Sequence, residues 1–260
     1  PPAEPPRYVP PRMPSATARS VLAVPRDETV PMAEAPAPPK PLERPATPSM
    51  KRDSALIIGI DLGTTFSCAA VVRNGKVEVV PTASGHRTIP SVVSIIGSSI
   101  HVGWPAYEKL ATHSEQTIYG VKRLLGRRFD SEAVQDALHY YGCEIVPDDD
   151  GDAAVKIGGK VYSTAWISAQ ILGAMKLWAS SYVNEEITKA VISVPAYYTD
   201  RQRMAVIEAG KMAGLDVKQI VNEPTAASVA YGVDKKLNQV VMVYDFGGGT
   251  FDVSVLEVGD

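Results

Sequence analysis

Residues 245–252 read Asp-Phe-Gly-Gly-Gly-Thr-Phe-Asp and lie between the apolar runs Val241-Met-Val-Tyr244 and Val253-Ser-Val-Leu256. Two apolar runs joined by a glycine-rich turn predict a β-hairpin. Consecutive glycines weaken a strand unless another group must come close to its backbone, and a triphosphate is such a group. The stretch therefore predicts a hairpin whose turn approaches phosphate through four residues: Gly247, Gly248, Gly249 and Thr250.

The same plan occurs near the start of the apolar part of the chain. Ala55-Leu-Ile-Ile-Gly-Ile60 is followed by Asp61-Leu-Gly-Thr-Thr65 and then by Cys68-Ala-Ala-Val-Val72. Asp61 matches Asp245, and Gly63 matches Gly247. Two copies of one unit predict two similar lobes, each presenting a hairpin to a shared cleft. Gly63 lets backbone amides approach a phosphate, and the hydroxyls of Thr64 and Thr65 donate to its oxygens. By itself, the pattern fits a glycine turn with a capping aspartate equally well.

Acidic residues accompany both turns. Asp61 and Asp245 would face each other across the cleft, and two carboxylates beside phosphates call for a cation, most simply Mg²⁺ that keeps several waters. In Asn222-Glu-Pro-Thr-Ala-Ala-Ser228, Pro224 fits the first turn of a helix and leaves Glu223 at its mouth. Glu223 is therefore either a third acid of the site or a helix-start acid that complements the helix dipole.

Two longer helices have readable ends. Thr199-x-x-Gln202 is a capping box and Gly214 a left-handed stop, which predicts a helix over about 200–213. A second helix is predicted over about 164–182 from apolar residues at helical spacing, which are expected to face a core: Ile167, Ile171, Met175, Trp178 and Tyr182. The turn signals Asp150-Gly151 and Gly158-Gly159 predict a small strand pair just before it.

Composition excludes several classes of protein. The chain is 45% hydrophobic with a net charge of −3, and its longest apolar runs fall far below the roughly 20 residues of a membrane span. We therefore expect neither membrane insertion nor nucleic-acid binding. The basic stretch Lys122-Arg-Leu-Leu-Gly-Arg-Arg128 predicts a solvated or ion-paired face. Cys68 and Cys143 show no zinc or disulfide spacing, which favours a reducing compartment and therefore the cytoplasm.

The first 50 residues hold 15 of the 21 prolines and no periodic apolar stripe. Such a composition cannot form a core, so residues 1–54 are predicted to be a proline-rich disordered tail. Because the chain begins with Pro, we expect it to be a processed or excerpted piece of a longer protein.

Four segments together resemble the nucleotide-binding domain of the DnaK-type, seventy-kilodalton heat-shock chaperones: Ile58–Thr65, Val194–Tyr197, Asn222–Ala227 and Asp245–Asp252. The resemblance covers about residues 55–260. It implies an α/β fold of the actin-like, ribonuclease-H-like ATPase type. Lobe I would span 55–238, with a subdomain inserted at about 91–163, and 239–260 would be the truncated start of lobe II.

The resemblance also implies roles for individual residues. Asp61 and Asp245 would hold Mg²⁺ through water, while Glu223 would position metal-bound water and Asp252 would contribute to hydrolysis. The phosphates of ATP or ADP would be bound by both turns: Gly63, Thr64, Thr65, Gly247, Gly248, Gly249 and Thr250. Thr64 would also take part in catalysis. Pro195 with Arg203 would relay the nucleotide state to another domain.

The function implied is that of an ATP-dependent chaperone, which couples ATP hydrolysis to the capture of unfolded peptides by a C-terminal domain outside this chain. Its partners would be unfolded clients, a J-domain co-chaperone and a nucleotide-exchange factor. A sugar kinase or actin relative would explain the paired hairpins but not all four segments together. Because residues 1–260 would form only half of the nucleotide cleft, they are expected to bind ATP weakly and to be inactive alone.

One departure from the family pattern concerns hydrolysis. Val102-Gly-Trp-Pro-Ala106 aligns with the family segment that is followed by the catalytic lysine, and here the next residue is Tyr107. A phenol with a pKa of about 10 supplies no positive charge, and losing such a contact costs on the order of a hundred- to a thousandfold in rate. We therefore expect impaired hydrolysis, unless Lys109 substitutes. The alternative function is a nucleotide-sensing regulator.

Overall fold

The computed structural model of the protein describes residues 56–232 and 238–258. All of them belong to one compact unit. The proline-rich tail predicted at 1–54 lies outside the described residues. Within them, no helix is long and apolar enough to cross a membrane.

The described strands, in chain order, are β1 Ile57–Asp61, β2 Phe66–Arg73, β3 Lys76–Val79, β4 Ile89–Pro90, β5 Val92–Ile96, β6 Ser99–Val102, β7 Thr117–Tyr119, β8 Glu144–Pro147, β9 Ala153–Ile157, β10 Lys160–Ser163, β11 Lys189–Val194, β12 Asp216–Asn222, β13 Gln239–Phe246 and β14 Phe251–Val258. The α-helices are α1 Trp104–Tyr107, α2 Glu132–Gln135, α3 Thr164–Val183, α4 Asp200–Met212 and α5 Glu223–Tyr231. Short 3₁₀ turns cover Ser114–Gln116, Val121–Arg123 and Leu138–Tyr140.

The central sheet has the strand order β12-β11-β1-β2-β3, with β4 paired to β2. β1 and β2 form the antiparallel hairpin predicted from the sequence, while β11 runs parallel to β1 and β12 parallel to β11. Parallel neighbours need a crossover connection, which α3 and α4 supply on the way from one strand to the next. The mixed α/β class predicted from the sequence is confirmed.

One face of the central sheet forms the core. On β1, Ile58 and Ile60 are buried and alternate with exposed neighbours, as the two-residue period of a strand requires. Ile192 of β11 is buried on the same side of the sheet, and Ile171 of α3 has no exposed surface. Burying each such side chain stabilises the fold by about 1.5–3 kcal/mol. The core therefore fixes where β1 ends, and with it the turn at residues 62–65.

The predicted helix over about 164–182 is found as α3, with Ser163 Oγ accepting from the amide of Trp166 at its start. Ile167, Ile171 and Met175 are buried as predicted. The prediction that Tyr182 faces the core was wrong. Its side chain is 38% exposed, and its hydroxyl donates to Glu78 of β3, because the last turn of the helix lies beside the edge strand.

The helix predicted over about 200–213 is α4. Both hydrogen bonds of its capping box form between Thr199 and Gln202, and Gly214 follows the helix with a φ of 72°. The strand pair predicted before α3 is a three-stranded sheet instead, in the order β10-β9-β8. Asp150-Gly151 turns the chain from β8 to β9, and Gly158-Gly159 turns it from β9 to β10, so each turn signal marks a separate hairpin.

The second predicted hairpin is formed by β13 and β14, in which Asp245 pairs with Asp252 and Phe246 with Phe251. The amide of Gly247 donates to the carbonyl of Thr250 at 3.0 Å and closes the turn. The lobe boundary at 238/239 and the insertion at about 91–163 remain predictions.

The basic stretch 122–128 lies in a tightly packed segment. Val121, Leu124 and Leu125 are buried in the core. Gly126 has a φ of 66°, and a Cβ at this position would lie 2.7 Å from Cα of Gln202 on α4. Only glycine therefore lets this segment lie against the helix.

We predict that Gly126→Ala destabilises the protein more than Gly75→Ala. Gly75 has a similar φ of 72°, but no atom lies within 4 Å of the position that its added methyl group would take, so it is a matched control. The positive φ alone costs about 1–2 kcal/mol for an L-residue. Overpacking at Gly126 adds about 1–3 kcal/mol. Urea denaturation of both variants measures the difference, and equal free energies of unfolding would contradict the packing argument.

Candidate functional site

The first turn, at residues 62–65, leaves no room for a side chain at Gly63. A Cβ there would lie 2.0 Å from the carbonyl oxygen of Phe66. Ser91 holds the turn from the other side, because its Oγ donates to the carbonyl of Gly63 at 2.7 Å and its amide donates to the carbonyl of Thr65 at 2.8 Å. The turn is therefore fixed in shape before any ligand binds.

The structure brings the second turn against the first. A Cβ on Gly249 would lie 2.7 Å from Thr65 Oγ1, and one on Gly248 would lie 3.0 Å from Thr65 Cβ. Arg123 adds a bond across the same junction, with Nη2 donating to the carbonyl of Gly249 at 3.0 Å. A Cβ at 249 would force Thr65 to move and one at 248 would crowd it, so glycine at these two positions lets the turns meet closely, whatever ligand they hold.

Three acidic side chains lie around this junction. Asp61 stands at the end of β1, where Ser193 Oγ donates to its Oδ1 at 3.1 Å. Asp245 lies near the end of β13. Burial raises the pKa of Glu223, the ammonium of Lys122 opposes that rise, and the charges of Asp61 and Asp245 raise the pKa further. Both aspartates therefore lie close enough to Glu223 to repel its carboxylate.

Lys122 compensates for the charge of Glu223. Its Nζ lies 2.5 Å from Glu223 Oε1, and the two side chains are only 10% and 15% exposed. The hydroxyl of Tyr198 donates to the carbonyl of Lys122 at 2.9 Å and holds the segment in place. Lys122 was missed as a site residue, since its sequence context predicted only a solvated or ion-paired face. A lysine within the buried run Val121 to Leu125 was the signal that could have identified it.

A cavity of about 170 Å³ opens beside the two turns. Its polar lining residues come from both turns, from the start of α5 and from the basic segment: Thr64, Thr250, Glu223, Asp252, Lys122, Arg123 and Arg127. A smaller cavity of about 60 Å³ lies between Glu223 and the second hairpin, where Asp245 and Asp252 line it. One hydroxyl from each turn, the cations of segment 122–127 and the carboxylates of Glu223, Asp245 and Asp252 thus converge on one region, whereas Asp61 and Thr65 line neither cavity.

Pro195 lies on the wall of this region, and Arg203 lies behind it, outside both cavities. Pro195 is buried and lines both cavities. Arg203 of α4 donates from Nη2 to Asn222 Oδ1 at 2.8 Å and from Nε to the carbonyl of Tyr198 at 3.2 Å. Arg203 therefore ties the loop after Pro195 to the residue that immediately precedes Glu223.

Tyr107 ends the four-residue helix α1, and its side chain is half exposed. Its ring meets that of Trp104 edge to face, with centroids 5.7 Å apart. Of the residues that the structure describes, neither Tyr107 nor Lys109 lines either cavity. The cations that do so come from the segment 122–127.

The described part of the chain contains no cluster of three or more His, Cys, Asp or Glu side chains placed to coordinate a metal directly. Asp61 and Asp245 nevertheless suit Mg²⁺, which commonly keeps several waters and is bound through one or two carboxylates plus phosphates. Ser193 holds the carboxylate of Asp61 in one orientation, as an outer partner of a metal site does.

Comparison with known proteins places this geometry in a family. The Hsp70 protein family profile matches residues 57–260. The "Chaperone protein DnaK" of Psychrobacter cryohalolentis is 50% identical over 205 residues, which make up 78% of this chain and 32% of the relative. That of Carsonella ruddii is 49% identical over 206 residues, or 78% of this chain and 34% of the relative. The chain spans about a third of the length of these curated relatives. Because the match includes every strand of the central sheet and both glycine-rich turns, the chain belongs to the Hsp70 family.

Proposed function

We propose that this chain is the N-terminal part of the nucleotide-binding domain of an ATP-dependent chaperone and that its two turns bind the phosphates of Mg-ATP. The observation that carries the proposal is the close approach of Thr65 to Gly248 and Gly249. Two hairpins that meet through glycine and hydroxyl groups present backbone amides and hydroxyls to one point. Such a concentration of donors suits the oxygens of a phosphate chain.

Each polar group has a definite task in this proposal. Thr64 and Thr65 donate to the terminal phosphates, and the backbone of 247–250 lies along the phosphate chain. Asp61 and Asp245 orient the waters around magnesium, which, when bound, neutralises phosphate charge. Glu223, kept close to Lys122, orients the attacking water, and Asp252 lines the same cavity and contributes to hydrolysis.

A route for coupling runs from Glu223 to the surface. Arg203 bonds both Asn222 and the carbonyl of Tyr198, so a displacement of Glu223 would move the loop that contains Pro195. In this proposal, Pro195 and Arg203 transmit the nucleotide state to a peptide-binding domain. Unfolded clients, a J-domain co-chaperone and a nucleotide-exchange factor are the proposed partners. A cytoplasmic location suits the two unpaired cysteines, Cys68 and Cys143.

Hydrolysis is the step in which this chain is proposed to differ from the family pattern. A neutral phenol at Tyr107 gives no charge to the transferring phosphoryl group, so the protein binds nucleotide and turns it over slowly. A nucleotide-sensing regulator is the second candidate function. The feature that favours it is the neutral Tyr107 at the position where the family pattern was expected to have its catalytic lysine; in the structure Tyr107 lines neither cavity, whereas Lys122, Arg123 and Arg127 line the larger one.

The first test is the magnesium dependence of ATP binding, measured by titration calorimetry on the 260-residue chain. We expect weak binding, with a Kd above the micromolar range, that magnesium strengthens. Asp245→Asn should remove the strengthening because one carboxylate beside the metal is lost. Glu257→Gln on β14 is the matched control, since Glu257 is exposed on the same hairpin. The proposal would be contradicted if Asp245→Asn kept the magnesium dependence of the wild-type chain, and micromolar binding would refute the expected weakness.

The second test concerns Tyr107→Lys in the full-length protein. If position 107 is where the catalytic cation is missing, restoring a cation should raise the single-turnover rate of ATP hydrolysis about a hundredfold or more. Tyr231→Lys adds the same charge at a side chain that is 90% exposed and should change nothing. A wild-type rate that Tyr107→Lys leaves unaltered would show that another cation performs this task.

A further inference from the structure

The ion pair between Lys122 and Glu223 joins a short turn to the start of a helix. Lys122 lies in the 3₁₀ turn Val121–Arg123, and Glu223 is the first residue of α5. Lysine carries its charge on a flexible four-carbon stem, so its ammonium keeps one position only where the structure fixes the backbone that bears it. The distance of 2.5 Å between Lys122 Nζ and Glu223 Oε1 therefore depends on what holds the turn.

Tyr198 holds this turn at the carbonyl of Lys122. The carbonyl of Gly120 accepts from the amide of Arg123 within the turn at 3.0 Å. The carbonyl of Lys122 instead accepts from the phenol hydroxyl of Tyr198 at 2.9 Å, in a buried hydrogen bond between residues 76 positions apart. Because a buried carbonyl that loses its donor is costly, this bond keeps the backbone of Lys122 in one place.

Tyr198 is itself firmly fixed. It is 7% exposed, its amide donates to the carbonyl of Pro195 at 3.1 Å, and the next residue, Thr199, is the N-cap of α4. Burial raises the pKa of the Tyr198 phenol, and the neighbouring Tyr197 and the charge of Glu223 raise it further. The hydroxyl therefore stays protonated and remains a donor.

The main chain of Tyr198 reaches the same carboxylate by a second route. Its carbonyl accepts from Nε of Arg203 at 3.2 Å, and Nη2 of this guanidinium donates to Oδ1 of Asn222 at 2.8 Å. Asn222 is the N-cap of α5 and immediately precedes Glu223. Tyr198 is thus connected to Glu223 from two sides, through its hydroxyl and Lys122 and through its carbonyl and Arg203.

We propose that Tyr198 is a positioning residue for hydrolysis: its hydroxyl fixes Lys122, and Lys122 holds the carboxylate of Glu223 in the orientation that directs the attacking water. The inference rests on the proposed function for the task of Glu223. Removing an outer partner that orients a group of the site typically costs about 10- to 100-fold in activity. If the ring of Tyr198 only filled the core, phenylalanine would serve equally well.

Tyr141 offers a matched comparison on the same segment. Its hydroxyl donates to the carbonyl of Gly120 at 3.3 Å, two residues before Lys122. Burial raises the pKa of Tyr141 to about 12, so this phenol also stays protonated. Tyr141→Phe therefore removes a hydroxyl from the same segment without releasing the carbonyl of Lys122, and we expect it to leave the ion pair closed.

The first arm of the test follows Lys122 in the 260-residue chain by ¹⁵N NMR of the lysine ammonium groups. A buried, ion-paired ammonium is protected from exchange with water and gives a sharp signal, which Lys122→Arg assigns by its loss. We expect the signal to broaden or disappear in Tyr198→Phe and to persist in Tyr141→Phe. Circular dichroism confirms that each variant is folded. An unchanged signal in Tyr198→Phe, or no protected signal in wild type, would overturn the inference.

The second arm measures single-turnover ATP hydrolysis and ATP binding by the full-length protein. Tyr198→Phe should slow hydrolysis about tenfold because Glu223 loses its fixed orientation, while the Kd for ATP stays unchanged. Tyr141→Phe should change neither quantity. Equal rates in wild type and Tyr198→Phe would contradict the positioning role.

A double-mutant cycle separates positioning from a general structural role. In a Lys122→Gln background, Tyr198→Phe should cause no further loss of rate, since the hydroxyl acts through Lys122. The same fractional loss in both backgrounds would show that Tyr198 acts independently of Lys122 and would overturn the inference. If Lys122→Gln does not fold, the ammonium signal and the comparison with Tyr141→Phe decide. A full-length wild type that does not hydrolyse ATP, combined with an ammonium signal that Tyr198→Phe abolishes, would remove the proposed function and leave the hold of Tyr198 on the ion pair standing.

Discussion

The site depends on one steric constraint, the contact of Thr65 with the backbone of Gly248 and Gly249. A Cβ on Gly249 would overlap Thr65 Oγ1 and one on Gly248 would crowd Thr65 Cβ, so this close approach depends on two positions without a Cβ. Gly63 imposes the same limit within the first turn, through the carbonyl of Phe66. These contacts use no backbone amide of Gly248 or Gly249, whereas the amide of Gly247 is used to close its own turn.

Electrostatic interactions around the junction add to the steric fit of the two turns. Burial raises the pKa of Glu223, the ammonium of Lys122 opposes that rise, and the charges of Asp61 and Asp245 raise the pKa further. Removing one partner of a buried ion pair typically costs about 3–5 kcal/mol, so Lys122 and Glu223 support each other's burial. Arg123 crosses from the same segment to the carbonyl of Gly249. The segment 120–127 therefore links the core, the start of α5 and the second hairpin.

Local sequence signals predicted the elements well where the signal and the tertiary environment agreed. Both hairpins were predicted, and the capping box of Thr199 and Gln202 placed the start of α4 at the right residue. Tyr182 was predicted wrongly, because helical periodicity does not reveal where a neighbouring sheet ends. The fold as a whole is the actin-like, ribonuclease-H-like α/β fold of the Hsp70 nucleotide-binding domain, as the resemblance implied.

The sequence by itself determined the two glycine-rich turns, the acids beside them and the family, because glycine, capping residues and alternating apolar residues act over a few neighbouring positions. Only the tertiary structure decided that Lys122 meets Glu223, that Arg123 reaches Gly249 and that Arg127 lines the cavity while its Nε has no partner among the described residues. In the sequence, Lys122 is 101 positions from Glu223 and Arg123 is 126 positions from Gly249. These contacts form because packing of the core brings distant segments of the chain together, and no local sequence pattern predicts them.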